Sequence, residues 1–221
     1  GFVVFPTTEA EILIAEQRYP QFPYEIDKAI PEVVHRYFAA ALGFIAILLV
    51  AFSYKHKLPT RIKAIASFLL FFICCQGLFG YLTVSLKLLP IIVTGHLFGG
   101  FITLSLFFYL FLNTSDGIKN HQIGHLKILG GIALLALLIQ IFLGAWTSTN
   151  YASLACVDFP TCQGTYMPEM NFSDGFNLSQ EVGPNYLYGL LDNESRVAIH
   201  YSHRVSALIL TLIFMVLITK L

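Results

Sequence analysis

Residues 90–112 read PIIVTGHLFGGFITLSLFFYLFL, 23 residues without one Asp, Glu, Lys or Arg. As a helix this stretch would rise about 34 Å at 1.5 Å per residue. That is enough to cross the roughly 30 Å hydrocarbon core of a bilayer. Pro90 opens it, where a missing N–H costs a helix nothing. Four more stretches are long and apolar enough to cross, about 33–54, 64–86, 128–149 and 197–219, and of these 64–86 and 128–149 also lack any Asp, Glu, Lys or Arg. Their length, without sustained alternation of apolar and polar residues, predicts helices rather than barrel strands. The expected fold is therefore all-α, a polytopic helical membrane protein with five spans.

Composition agrees. Of 221 residues 56% are hydrophobic and 12% charged, against about 25% charge in an ordinary soluble domain. Such an apolar, aromatic-rich chain is not a disordered one. The 13 basic residues are scattered and balanced by 13 acidic ones, which excludes a nucleic-acid binder and leaves membrane lipid as the surrounding medium. Four cysteines are too few for a disulfide scaffold.

Loop charge gives direction. Lys55, Lys57, Arg61 and Lys63 separate the first two spans, and Lys119 and Lys127 the third and fourth. The loop 150–195 carries Asp158, Glu169, Asp174, Glu181, Asp192 and Glu194 without Lys or Arg, and the segment 1–32 is also acidic. The expected topology is N-outside, C-inside. An exported N-terminal segment needs a preceding span or signal, and the chain begins at Gly1, so a fragment of a longer protein is expected.

A weak internal repeat supports this. Glu32-Val-Val-His35-Arg36-Tyr-Phe-Ala39 aligns with His200-Tyr-Ser-His203-Arg204-Val-Ser-Ala207, and Val3-Val-Phe5-Pro6-Thr7 with Val157-Asp-Phe159-Pro160-Thr161. Repeats in one direction imply two similar bundles. On this reading residues 1–123 form an N-terminal half, with an outer segment 1–32 and spans 33–54, 64–86 and 90–112. Residues 124–221 begin a C-terminal half, with spans 128–149 and 197–219 and the outer loop 150–195.

Ionisable residues inside spans are costly and point to function. His35, His96 and His203 fall at one depth near the outer ends of their spans. Imidazoles from neighbouring helices at one depth suit the two axial positions of a heme. Gly95, Gly99 and Gly100 flank His96 and would let a flat macrocycle approach. Arg36 and Arg204, each following a histidine, could pair with heme propionates. His200 lies one turn from His203, as a supporting group, an alternative ligand or an interfacial residue. Glu32 lies one turn from His35 on the same face, and its repeat counterpart is His200, so the two sites differ. His56, His121 and His125 read as loop residues, and Cys74 and Cys75 as apolar packing in mid-span. Cys156 and Cys162 lie in the outer loop, where a disulfide is permitted; it would be either a structural staple or an exchangeable dithiol.

Taken together, Glu32-x-x-His35-Arg36, Gln76-Gly-Leu-Phe-Gly80-Tyr-Leu-Thr83, Gly95-His96-Leu97, Cys156-x-Asp-Phe-Pro160-x-Cys162-x-Gly164 and His203-Arg204 resemble the heme A synthase family over nearly the whole chain. The resemblance implies eight spans in two four-helix halves, five of them present here. It implies oxidation of the ring methyl of heme O to a formyl group, giving heme A for terminal oxidases. By resemblance, His35 and His96 would ligate the substrate heme, with Glu32 as the catalytic carboxylate. His203 would ligate a resident heme b, its partner lying in an absent seventh span. Some members carry a cysteine pair in the first outer segment, which here has none. Heme O synthase and terminal oxidase assembly factors are implied partners. The implied location is a bacterial plasma membrane, or a mitochondrial inner membrane if the source is eukaryotic. Two rival readings are a diheme b-type cytochrome that passes electrons and a heme carrier that releases heme unchanged.

Overall fold

The computed structural model describes residues 6, 8–18, 20, 24–115 and 124–220. Lys119, His121, the side chain of His125 and most of the Val3-to-Thr7 half of the repeat lie outside the described residues. The helices are α1 (Glu9–Arg18), α2 (Ile26–Lys55), α3 (Thr60–Ser85), α4 (Pro90–Thr114), α5 (Lys127–Thr149), the short α6 (Phe172–Gly175) and α7 (Asn193–Lys220). A 3₁₀ turn at Gly124–Leu126 leads into α5. Five of them, α2, α3, α4, α5 and α7, are long and apolar enough to cross a membrane. The chain is a multi-pass helical membrane protein.

Two helices begin earlier than hydropathy suggests. α2 starts at Ile26 rather than near residue 33. Asp27 sits in its first turn, where carboxylates favour a helix. Lys28 pairs with Glu25 at 2.8 Å, and Arg36 pairs with Glu32 one turn away. Such pairs extend a helix beyond its apolar run. α7 starts at Asn193 because the Asp192 carboxylate accepts a 2.8 Å hydrogen bond from the Ser195 N–H. This is an N-cap. The same backbone bond holds the Asp192 carboxyl below its ordinary range. Hydropathy windows register none of this, since charged residues lower their score.

The chain divides into two compact units, residues 1–70 and 71–221, with α3 running across the boundary. In the first unit the turn after α2 is closed by the Leu58 N–H donating to the Ser53 carbonyl at 3.0 Å. Tyr54 stands 3.5 Å from the Ser67 hydroxyl, and Lys63 lies over the Tyr54 ring.

In the second unit α5 packs along α7 and also against α4, and α6 packs on α7. Trp146, Ala152 and Ile199 form one core cluster, with Ile91, Phe142, Phe176 and Leu191 around it. Cys156, Cys162 and Val197 form a second. Many large apolar side chains on the spans face outward, among them Phe44, Phe71, Leu104, Leu134 and Leu208. In water such a surface would aggregate; in lipid it is the normal exterior. Cys74, expected to pack inside, is exposed on α3, and Cys75 is half-buried.

Candidate functional site

The second unit carries its histidines at the loop end of the α5–α7 pair. A cavity of about 500 Å³ opens there, lined by Gly144, Thr147, Ser148, Tyr151, Ser153, His200 and His203. His203 leans on α5. Its Cε1 is 3.3 Å, and its Nδ1 3.9 Å, from the point where a Cβ on residue 144 would stand. A methyl there would press on the ring, which would have to give by a few tenths of an ångström. One turn earlier on the same face, the Gln140 amide nitrogen lies 3.0 Å from His203 Nδ1 and 3.4 Å from Nε2. The Gln140 Oε1 is buried with no hydrogen-bond partner.

His200 sits one turn from His203 and is buried. The Cys156 N–H donates to its Nδ1 at 3.2 Å, and Arg204 Nε donates to its Nε2 at 3.2 Å. A neutral imidazole accepts at one nitrogen only, so one of these contacts holds at a time. Both nitrogens of His200 thus face the loop and Arg204.

Arg204 spends its remaining donors on the same loop. Nη1 reaches the carbonyls of Asp158 and Thr161, and Nη2 that of Cys156. Within the loop Cys156 and Cys162 are bonded as a disulfide with Cα atoms 4.7 Å apart, and both are buried. The Cys162–Thr165 bridge closes a tight turn, with Gln163 at φ 55° and Gly164 at φ 78°. Two positive φ values in succession suit a glycine in the second place. The Asp158 carboxylate caps the turn. It accepts from the Thr161 hydroxyl and from the N–H groups of Gln163 (2.7 Å) and Gly164 (2.9 Å). These bonds, Thr161 first, hold its carboxyl down at about 2.

The rest of the loop is tied to both helices. Trp146 Nε1 donates to the Gly175 carbonyl at 2.7 Å, and the Asn171 N–H donates to the Glu194 carbonyl. Residue 175 must be glycine, since a Cβ there would stand 2.8 Å from the Ser195 carbonyl. The turn between α3 and α4 joins in, with Lys87 Nζ donating to the Gly183 carbonyl and its own carbonyl accepting from the Tyr186 N–H.

His96, on α4, repeats the relation seen at His203. Its Cε1 lies 3.5 Å, and its Nε2 3.7 Å, from a Cβ position on Gly80 of α3. Gln76, one turn before Gly80, packs on Gly99 so closely that a Cβ there would lie 1.7 Å from its amide nitrogen. The Gln76 Oε1 is also buried without a partner. Gln76-Gly-Leu-Phe-Gly80-Tyr-Leu-Thr83 and Gln140-Ile-Phe-Leu-Gly144-Ala-Trp-Thr147 therefore share a spacing, glutamine, glycine four on, threonine three further. Reading histidines alone misses these residues; two mid-span glutamines at one spacing from a glycine are the signal that finds them.

In the first unit, His35 is exposed on α2, and Glu32 and Arg36 are ion-paired across the turn that carries it. Among the described residues no three His, Cys, Asp or Glu side chains converge as a metal site. An iron already held by four ring nitrogens needs only axial ligands, so single histidines over glycines fit heme better than a bare ion.

The family described as cytochrome oxidase assembly protein matches residues 1–221. The chain is similar to the heme A synthase of Shewanella oneidensis, 35% identical over all of this chain and 67% of that protein. It is 27% identical to the heme A synthase of Shouchella clausii over 84% of this chain, and 29% identical to that of Wolbachia sp. subsp. Brugia malayi over 86%. The chain spans 57% and 56% of the lengths of those two relatives. No solved structure matches the chain.

Proposed function

The chain belongs to the cytochrome oxidase assembly protein family, and on that premise we propose that it performs heme A synthesis, converting the ring methyl of heme O to a formyl group. Three relatives named heme A synthase support the reading. The observation that carries it is the cradle of His203, with Gly144 clearing space for the ring, Gln140 packed against both ring nitrogens and a cavity beside it. A histidine that would hold a heme iron needs a ring plane fixed by its neighbours and room beside the ring.

Residues 1–123 are the substrate half and residues 124–221 the start of the cofactor half. His203 would hold the iron of a resident heme b, and Ser148, Tyr151 and Ser153 line the cavity beside it. His200 and Arg204 hold the disulfide loop above it, which leaves Arg204 few donors for a propionate. In the first half His35 and His96 would be the residues that ligate heme O, as the resemblance implies. With the oxygen counted as water, taking a methyl to a formyl releases four electrons and four protons, so it needs an electron acceptor outside this chain; bound iron would pass the electrons on, which no side chain here can.

This chain's residues bind, orient and manage protons. Glu32 lies one turn from His35 and can accept a proton from the reacting group or balance positive charge there. Its pairing with Arg36 holds the carboxylate along the helix face. The membrane in this reading is a bacterial plasma membrane, or a mitochondrial inner membrane if the source is eukaryotic, with the disulfide loop on the oxidising side. Incubating the full-length protein with heme O and extracting the heme tests the reading. Hydroxylated or formyl heme is expected; recovery of heme O alone, under conditions where Shewanella heme A synthase converts it, would sink it.

A further inference from the structure

The segment 154–167, LACVDFPTCQGTYM, holds a single charged side chain. That one, Asp158, is folded back on the turn, where it accepts from the Thr161 hydroxyl and the N–H groups of Gln163 and Gly164. Leu154, Val157, Phe159, Tyr166 and Met167 instead stand 68–84% exposed, with Gln163 and Thr165 as the polar exceptions. Five such side chains on one short, cross-linked turn make a surface that water disfavours. The rest of the loop differs. Glu169, Asp174, Glu181, Asp192 and Glu194 are all exposed there, and an apolar residue such as Val182 stands next to a carboxylate.

The helices give the turn its depth. His203 stands over Gly144, so the two share a level. Ile128 and Thr219, at the far ends of the same apolar runs, are each 16 residues away, which is about 24 Å at 1.5 Å per residue. A hydrocarbon layer of roughly 30 Å then reaches about four residues beyond Gly144 and His203, to the level of Ser148 and Ile199. The turn is bound at that level. Val197 clusters with both cysteines, the Cys156 N–H donates to His200, and the Tyr201 hydroxyl donates to the Tyr166 carbonyl. Further along α7, the face that carries Arg204 continues as Leu208, Leu212 and Met215, all exposed. It is turned away from α5, which meets α7 through Ile199 and His203. Between span and turn the Arg204 guanidinium is spent on loop carbonyls, so one apolar strip runs from the span onto the turn.

We propose that the disulfide turn is seated in the membrane interface: Leu154, Val157 and Phe159 enter the headgroup and first-methylene zone of the leaflet on their own side, with Tyr166 and Met167 at the edge, while the acidic remainder of the loop stays in water. That zone accepts aromatic and aliphatic side chains whose backbone is satisfied, and it rejects exposed carboxylates. Phospholipid is the occupant because the strip continues the surface of the span and offers no uncommitted charge by which a protein partner would be selected. The inference stands whether or not the cavity beside His203 holds heme.

The test uses the full-length protein in nanodiscs of phosphatidylethanolamine and phosphatidylglycerol. A spin label is placed by Val157→Cys, with Cys74→Ala and Cys75→Ala removing the free thiols, and by Asp174→Cys as a reference in water. Collision with oxygen, which concentrates in lipid, is compared with collision with a neutral nickel complex, which stays in water. The oxygen-to-nickel ratio should be several-fold higher at residue 157 than at residue 174. Nickel access at 157 equal to that at 174 would put the turn in water and overturn the proposal. Low access to both reagents would mean that protein covers the turn, another span or a second copy, and overturns it equally. Should the new thiol disturb the Cys156–Cys162 bond, a benzophenone side chain placed at residue 159 decides. A photo-adduct with phospholipid, found by mass spectrometry, supports the seat; an adduct with protein, or none, overturns it.

Discussion

Gly144 and His203 are matched across α5 and α7, the imidazole Cε1 standing 3.3 Å from the absent Cβ. Gly80 and His96 stand in the same relation across α3 and α4, at 3.5 Å. The difference of a few tenths of an ångström separates a contact that must yield from one of ordinary van der Waals kind.

The first prediction uses that difference. Gly144→Ala should tilt His203 and lower the heme content of the purified protein several-fold, measured as pyridine hemochrome per protein. Gly80→Ala should change it by less than about twofold, since packed interiors tolerate ordinary contacts but not overlap. Equal losses in the two variants, or a larger loss at Gly80, would contradict this.

The second concerns Gln76 and Gly99. A methyl on residue 99 would collide with the Gln76 amide. Gly99→Ala should destabilise the protein by about 1–3 kcal/mol, as overpacking does. Adding Gln76→Ala should recover much of that, because the two positions share one space. Thermal unfolding in detergent of the two single variants and the double variant measures the coupling. Additive effects would show that the contact is not the cause.

Arg204 supplies the third. Its guanidinium bonds three loop carbonyls and His200, a spread that an ammonium group cannot reproduce. Arg204→Lys should free the segment 154–164 to proteolysis while the disulfide persists. Cys156→Ser should cost roughly 2 kcal/mol by the loop-entropy rule for so short a ring. A loop in Arg204→Lys as resistant as wild type would assign the anchoring to the disulfide alone.

Asp158 gives a pH prediction with a definite sign. Its folded carboxyl, at about 2, lies below its ordinary value of 3.8. A depressed acid contributes stability above its unfolded value and loses it as pH falls through the folded one. Hydrogen exchange at the amides of Gln163 and Gly164 should therefore be protected at neutral pH and lose protection between about pH 4 and pH 2. In Asp158→Ala that protection should be absent at every pH. Protection surviving in the alanine variant would transfer the role to the disulfide.

Glu32 gives the fifth. Glu32→Gln keeps the size of the side chain and removes the charge that pairs with Arg36. Heme should remain bound while conversion of heme O falls by about a hundredfold. Heme and activity lost together would make Glu32 a support of His35, and unchanged activity would make it an ordinary interfacial carboxylate.

The spans were legible because lipid demands a long apolar run and satisfied backbone, and 90–112 meets both without ambiguity. The helix starts were not, because Asp27, Glu32 and Asp192 act through caps and pairs that hydropathy counts as interruptions. His203 was legible as an ionisable group inside a span. Its support was not, since Gly144 and Gln140 are small or neutral and their meaning depends on which helix lies opposite. Arg204 shows the same limit: a cation beside a histidine reads as a propionate partner, yet its guanidinium is occupied by carbonyls whose direction only the folded loop determines.

The ties between loop and helices also bear on how the protein meets bilayers of different thickness. A lone span adjusts to a thinner or thicker hydrocarbon layer by sliding or tilting. α5 and α7 are not free to slide past one another, because Trp146 holds Gly175, Asp192 caps α7, and Arg204 grips the disulfide turn. Hydrophobic mismatch must then be absorbed by tilting the hairpin as one piece. The vertical distance from His203 to the disulfide turn is set by a built-in ruler, so lipids of different chain length should shift the lean of this pair while leaving the height of the imidazole below its loop unchanged.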